Sequence, residues 1–489
     1  MTADLGYYGA DAGGPMFLGE AYRYNMPVLT YAYDASFLRY FGTNGVAAVD
    51  AAMSMVNALP DADSMSEGLT EYQTFTRRSN AKADALGLLD LKTITLSAML
   101  EQMGVASPER YVWSLRAHFT DAVPREHFGV FNPNYDPRTL AQTEYVNDVL
   151  YSYEIVEAPV GVFQATSFPV DPLAAISSSV ADYYQHGIGS DFSSRGFFAA
   201  YGAGVYFPAL TREDAAAIRY MLRSQNYAVE SLLPDVRAST GGALGVSGGN
   251  GDGALTGGGF FGSGNGSPWA PAFSIFTANT ATLGGSPWAP VIISTNLNTN
   301  SLTVTTTNGL PRVVTALRPG IGSVKWVKIS YDSILGATTQ PYLVTWVDRY
   351  VTNRTLRLQP VSRTVFAPDM IFTAGDLGVF TPSALPVTTR RPVDAAAFTS
   401  YALLNSAFGG TTELAGPGIV NSFKSISFSK LGRYYINVTT PSPAIGQPTR
   451  DTATLGFSWG SFTGGTNPIV AYPEGTSLRA LEGLVKRGL

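Results

Sequence analysis

The chain of 489 residues contains no cysteine. That one absence removes disulfides, thiolate zinc sites, iron–sulfur clusters and a cysteine nucleophile together. Histidine is almost as scarce, with only His118, His127 and His186. Charge is thin too: 14% of residues are Asp, Glu, Lys or Arg, where an average globular chain has about a quarter. The net charge is -5 and basic residues form no run, which excludes nucleic-acid binding through phosphate neutralisation. No apolar stretch approaches the roughly 18 residues of a membrane helix, so no membrane span is expected. The opening MTADLGYYGADAGGPMFLGE has neither the basic start nor the apolar centre of a secretory signal. No GxSxG, Walker or dinucleotide-binding fingerprint stands in a strand–turn–helix setting.

What is present is glycine (51), tyrosine (26), phenylalanine (26) and a normal 45% of hydrophobic residues. A core can be buried, but its surface must be finished with Ser, Thr, Asn, Gly and Tyr, as suits secreted, wall-associated or assembled proteins. The length exceeds one ordinary core, and two domains are expected. Residues 1–24 read as an irregular arm, 25–238 as an α+β domain, 239–266 as a glycine-rich connector and 267–489 as a β-rich, sandwich-like domain.

In the first part, residues 27–33 (PVLTYAY) have strand composition, 34–41 turn the chain, and 45–59 form a helix with Asn44 as its cap. The longest helical signal runs from 81 to 103, with Leu88, Leu91, Met99 and Met103 along one face and Gly104 at its end. Strands are expected at 110–119 and 149–156, and a helix at 172–184. Thr211 caps a further helix, with Asp214 in the capping-box position and Ile218, Met221 and Leu222 on its buried side. In the second part, SPWAP occurs at 267–271 and 286–290, each copy followed by a strand-like run. Further strands are expected at 302–306, 324–331, 342–351, 355–360, 365–366, 370–373, 426–428, 434–439 and 454–459.

Residues 90–105, DLKTITLSAMLEQMGV, carry the sharpest functional question. The strand VLTYAYD, the turn DASF, the helix GVAAVDAAMSMVNALP and the later YFPALTREDAAAIRYM resemble parts of a metzincin catalytic domain of the matrixin kind. Residues 90–105 fall in register with that family's zinc helix, DLxTVAxHExGHxLGL. The resemblance implies an ancestral zinc peptidase scaffold, but the first two histidine positions hold Ser97 and Glu101, and the third holds Ser107. Ala98 stands at the catalytic glutamate, while Gly104 keeps the glycine. Zinc chemistry needs neutral imidazoles at i and i+4 and a carboxylate to take the water's proton. A serine hydroxyl is a poor zinc ligand and alanine is no base, so a non-catalytic scaffold without metal or other cofactor is expected.

Other candidates have weaker chemistry behind them. The three histidines lack metal-ligand spacing. Residues 248–255 (GGNGDGAL) resemble a single calcium-binding nonapeptide with the aspartate one place early, and calcium needs a repeated array of oxygens. Asp369 and Asp376 read as turn residues. Asn353-Arg354-Thr355 and Asn437-Val438-Thr439 are glycan acceptors only in a suitable secretory system.

The runs LRPGIGSVKWVKISYDSILG, APDMIFTAGDLG, GPGIVNSFKSISFSKLG and DTATLGFSWGSF resemble large secreted proteins of Verrucomicrobia and related bacteria. That resemblance implies export and brings no activity with it. The expected function is therefore a non-catalytic extracellular structural protein, a homo-oligomer or polymer in a surface or filamentous assembly. The alternatives are a carbohydrate-binding or adhesion module, with Trp269, Trp288, Trp326, Trp346 and Trp459 as stacking platforms, and a hydrolase with an unrecognised carboxylate pair.

Overall fold

The computed structural model describes residues 23–181 with short breaks, 203–239, 303–376 apart from 308–309, 389–390, 425–430, and 434–486 with three short breaks. Mixed helices and many strands make it an α+β protein. Its centre is a four-stranded parallel sheet in the order Lys325–Lys328, Val28–Tyr33, Met370–Gly375, Ser425–Ser429. Val28–Tyr33 lies inside this sheet and is buried from Leu29 onward, as a strand covered on both faces must be. Its apolar run VLTYAY is therefore a core strand.

Helix α1 (Ala35–Asn57) follows directly and lies on the sheet. Asp34 caps it by accepting from Ser36 N at 2.7 Å, so the expected turn at 34–41 is its first two turns. Gly42, at φ +58°, breaks the helix there, and a side chain at this position would occupy the space of the Glu474 carboxylate. That carboxylate accepts from Thr43 N and Asn44 Nδ2, restarting the helix from a residue over 400 positions away. Asn44 thus supports the second start as a donor, and Asp34 is the true cap. Phe37 and Phe41 pack with ring centroids 4.7 Å apart against Phe428, joining α1 to the sheet.

The helical signal over 81–103 is interrupted. Helix α2 (Ala81–Ala85) stops ahead of Gly87, whose φ of +66° reverses the chain into the strand Leu88–Asp90. Asp90 accepts from Thr93 N at 3.0 Å and opens α3 (Leu91–Gln102), which packs on α1. Leu88–Asp90 pairs in parallel with Ser458–Ser461, another contact between distant parts of the chain. Helix α4 (Arg212–Leu222) has the expected Thr211–Asp214 capping box, and Ile218, Met221 and Leu222 are buried.

A curled antiparallel sheet carries Val236–Ala238, Thr355–Val365, Tyr342–Thr352, Leu310–Arg318 and Ala228–Ser231 in that order. A smaller region holds the Ser114–Thr120/Glu126–Phe131 hairpin and the three strands Tyr145–Val146, Val149–Glu157 and Phe163–Pro169. The expected division into 25–238 and 267–489 does not follow these sheets. Val28–Tyr33 has its partners at 325–328 and 370–373, and 236–238 pairs with 361–363. Parallel pairing requires long crossovers, so distant segments are brought side by side. The arm also ends earlier than 24: Arg23 and Tyr24 are buried. The SPWAP copies, residues 248–255 and the connector beyond Ser239 lie outside the described residues, as does most of 172–184.

Candidate functional site

Of the positions in register with a zinc helix, Ser97, Ala98 and Ser107 are interior. Ser97 is fully buried and its hydroxyl donates to the Ala181 carbonyl at 3.4 Å. Ala98 is buried beside it, and Glu101 lies in the last turn of α3. Ser107 is fully buried, its Oγ accepting from Arg110 N at 3.3 Å and its carbonyl from Tyr111 N. The helix is enclosed on nearly every side, since Leu91 and every residue from Thr93 to Leu100 are buried. Its polar side chains bond within the fold: Thr95 Oγ1 donates to the Leu91 carbonyl, and Thr93 Oγ1 donates to Asp90 and accepts from Phe207 N. Burial pushes the Asp90 carboxyl up to about 6, against the hydrogen bonds from Thr93. A one-sided amphipathic helix is the expectation; a helix buried on nearly every side is the result.

His118 and His127 sit on adjacent strands, but the register pairs His118 with Phe128 and Phe119 with His127. His186 lies outside the described residues. Among the described residues no three His, Asp or Glu side chains are placed to hold a metal ion. Trp326, Trp346 and Trp459 are all buried, so they pack the core and offer no stacking face; Trp269 and Trp288 lie outside the described residues. The adjacent carboxylates Glu213 and Asp214 are held by backbone donors. Asp214 accepts from Thr211 N, Val180 N and Ala181 N, and Glu213 from Asn147 N. Asn437 falls in the strand Tyr434–Pro441.

The more informative chemistry lies in the 342–365 hairpin. Asn353 and Arg354, both at positive φ, close a two-residue turn between Thr352 and Thr355. On the inward face, Asp348 takes a two-pronged bond from Arg318, with Nε and Nη2 each at 2.9 Å. Gln359 Nε2 donates to the same carboxylate at 2.6 Å. Arg318 also donates to the Glu230 carbonyl, and the Glu230 carboxylate accepts from Arg23 at 2.8 Å. Further along the second strand, Arg363 grips Asp369 through Nη1 and Nη2 at 3.1 and 2.7 Å and reaches Asp235 through Nε at 2.6 Å. Burial works against the Arg363 charge, yet the Asp369 bonds and the two carboxylates hold its pKa above the usual arginine value. Asp369 further accepts from Thr30 N and Thr30 Oγ1 on the central parallel strand. Asp369, in the bend that leads into Met370–Gly375, is therefore also a buried anchor between two sheets, whereas Asp376 is exposed, 3.7 Å from Lys430.

The inward face also buries Val344, Trp346, Val361 and Val365, and the outward face is mixed. In the register, Val347 lies opposite Pro360, Arg349 opposite Leu358 and Val351 opposite Leu356. Leu343 (57% exposed), Val347 (43%), Leu356 (49%) and Leu358 (63%) line an apolar stripe, interrupted by Arg349 and by the Thr345/Ser362 pair, that nothing covers among the described residues. Arg349, Arg354 and Arg357 are exposed around the tip, and none pairs with a carboxylate among the described residues. On the outer edge, the last backbone bond runs from Ser239 N to the Pro360 carbonyl, beyond which 355–359 continue without a partner strand on that side among the described residues. Exposed leucines beside an edge without a partner strand among the described residues mark this hairpin as an interaction surface. Comparison with protein-family models, curated proteins and solved structures finds no match to the chain.

Proposed function

We propose that the protein is a non-catalytic, extracellular structural subunit that self-assembles into a surface layer or filament, with the 342–365 hairpin as a contact between copies. The observation that carries this reading is the outward stripe Leu343, Val347, Leu356 and Leu358 on a hairpin whose other face is clamped by ion pairs. A rigid, preorganised apolar face loses little conformational freedom on docking. The low charge of the chain favours the same role, because subunit contacts are poor in Lys and Glu. Export rests on the resemblance to secreted Verrucomicrobia-type proteins.

The finer fold reading, a metzincin scaffold that has lost its site, is supported by the succession of Val28–Tyr33 and α1 and by the packing of α3 against α1. The enclosed Ser97, Ala98 and Ser107 fit a packing role for the former metal helix. Sedimentation velocity over a hundredfold range of concentration tests the assembly, together with negative-stain images of native material. Concentration-dependent association that weakens in Leu356→Lys/Leu358→Lys is the expected result. A monomer at every concentration and salt would sink the proposal.

A further inference from the structure

A second surface, away from the hairpin, has the chemistry of a sugar-binding groove. It lies in the smaller β region, has a volume of about 610 Å³ and is open to solvent, with Trp113, Asn132, Gln142, Thr143, Glu144 and Tyr145 among its walls. The loop that forms it is fixed by its own amides. Asn132 Nδ2 donates to the Thr143 carbonyl at 2.8 Å, Gln142 Nε2 to the Asn132 carbonyl at 3.0 Å, and Asn134 Nδ2 to the Tyr145 carbonyl at 2.8 Å. These bonds use the amide nitrogens on the backbone. The Gln142 side-chain oxygen and the exposed Glu144 carboxylate are left as acceptors at the groove.

Two aromatic side chains supply flat walls. Trp113 is pinned by its indole N–H to the Tyr151 carbonyl at 3.3 Å, and its ring packs 4.9 Å from that of Tyr153. Tyr145 is half exposed. Rings held in this way meet the C–H face of a pyranose at little entropic cost, while sugar hydroxyls donate to the acceptors beside them. Among the described residues no lysine or arginine lines the groove, and one carboxylate does, which disfavours phosphorylated, sulfated or uronic ligands. The half-polar lining also suits a sugar better than a lipid tail.

We infer that this groove binds a neutral oligosaccharide of equatorial hexopyranoses, a β-1,4-linked chain of glucose or N-acetylglucosamine, stacked on Trp113 and Tyr145. The site is independent of the assembly contact and does not need it. Calorimetric titration of the full chain with cellohexaose and with chitohexaose tests the inference and separates the two sugars. Saturable binding of at least one is expected, weakened about tenfold by Tyr145→Ala and by Glu144→Ala, and within about threefold of the parent in Tyr145→Phe. Tyr145 and Glu144 carry the test because both are exposed and their replacement leaves the fold intact; circular dichroism checks this. The inference is overturned if neither hexasaccharide binds at millimolar concentration, if Tyr145→Ala and Glu144→Ala bind like the parent, or if hexagalacturonate binds more tightly than both neutral sugars.

Discussion

Helix α3 and the 342–365 hairpin differ in what they leave at the surface. In α3 the apolar side chains point in most directions because nearly every side is interior, and Thr93, Thr95 and Ser97 bond to neighbouring groups. In the hairpin, Asp348 and Arg363 are buried on the inward face among Val344, Trp346, Val361 and Val365, while Leu343, Leu356 and Leu358 face out beside Arg349. A helix so enclosed has little surface left on which to work, so Ser97 is part of the packing. A hairpin with its ion pairs inside keeps one free face, and that face is where an external partner gains most. The contrast moves attention from the helix that resembles a metal site to a strand pair that resembles nothing catalytic.

The strongest way to break this contrast is to remove an inward charge from the hairpin network. Asp369→Ala strands the Arg363 guanidinium beside only the half-exposed Asp235 and frees Thr30 from its acceptor. Loss of one partner of a buried pair costs about 3–5 kcal/mol, to be read as a lower midpoint in urea denaturation. A loss under about 1 kcal/mol would mean that the hairpin is not clamped and that its outer face is not preorganised.

The next effect tests α3 through pH. The Asp90 carboxyl titrates near 6 in the folded chain, above its ordinary unfolded value, because burial disfavours its charge. The folded state therefore binds the proton more tightly, and the associated stability is present below about pH 4 and lost as pH rises through 6. A rise of that size in a carboxyl's pKa is worth about 3 kcal/mol. Asp90→Asn, which cannot titrate, is expected to lack this fall between about pH 4 and 6 when its denaturation curves are compared with those of the parent. Equal slopes would show that Asp90 is not enclosed as the geometry has it.

These two carboxylates also show what is legible in the sequence. The Thr211–Asp214 capping box is, because its residues are three apart and the signal is wholly local. So are the hairpin's two strands, expected at 342–351 and 355–360, although the turn at Asn353 and Arg354 that joins them is read only as a glycan triplet. The anchoring role of Asp369 is not: next to Pro368 it reads only as a turn, and its partner Thr30 is 339 positions away. The parallel sheet is hidden for the same reason, since residues 28–31 meet 325–328 and no local pattern encodes that pairing. The break at Gly87 is masked because Leu88, Leu91 and Met99 keep a helical spacing across it, although the strand Leu88–Asp90 is held by Ser458–Ser461. The groove at Trp113 and Tyr145 leaves no sequence signal because its walls converge only after two hairpins and a loop have folded.

A smaller effect asks whether α3 tolerates the residues its register resembles. Ser97→His with Glu101→His restores an i, i+4 imidazole pair. Position 97 is fully enclosed, so the larger ring is expected to cost about 1–3 kcal/mol by overpacking, and zinc is expected not to restore the melting temperature. A zinc-dependent rise in that temperature would show an open site on the helix and erase the contrast.

The smallest expected effect on stability carries the most weight for function. Leu358→Lys changes a side chain that is 63% exposed and opposite Arg349, so the folded monomer loses no core contact. Its urea midpoint should stay within about 0.5 kcal/mol of the parent. Association should fall far more, because the new ammonium must be desolvated whenever a second copy covers the stripe. The same replacement at Leu96, buried in α3, would instead remove the fold and with it any meaning for an association measurement. Unchanged self-association in Leu358→Lys, in a chain that still assembles, would place the contact elsewhere on the surface and leave the hairpin's outward leucines without a role.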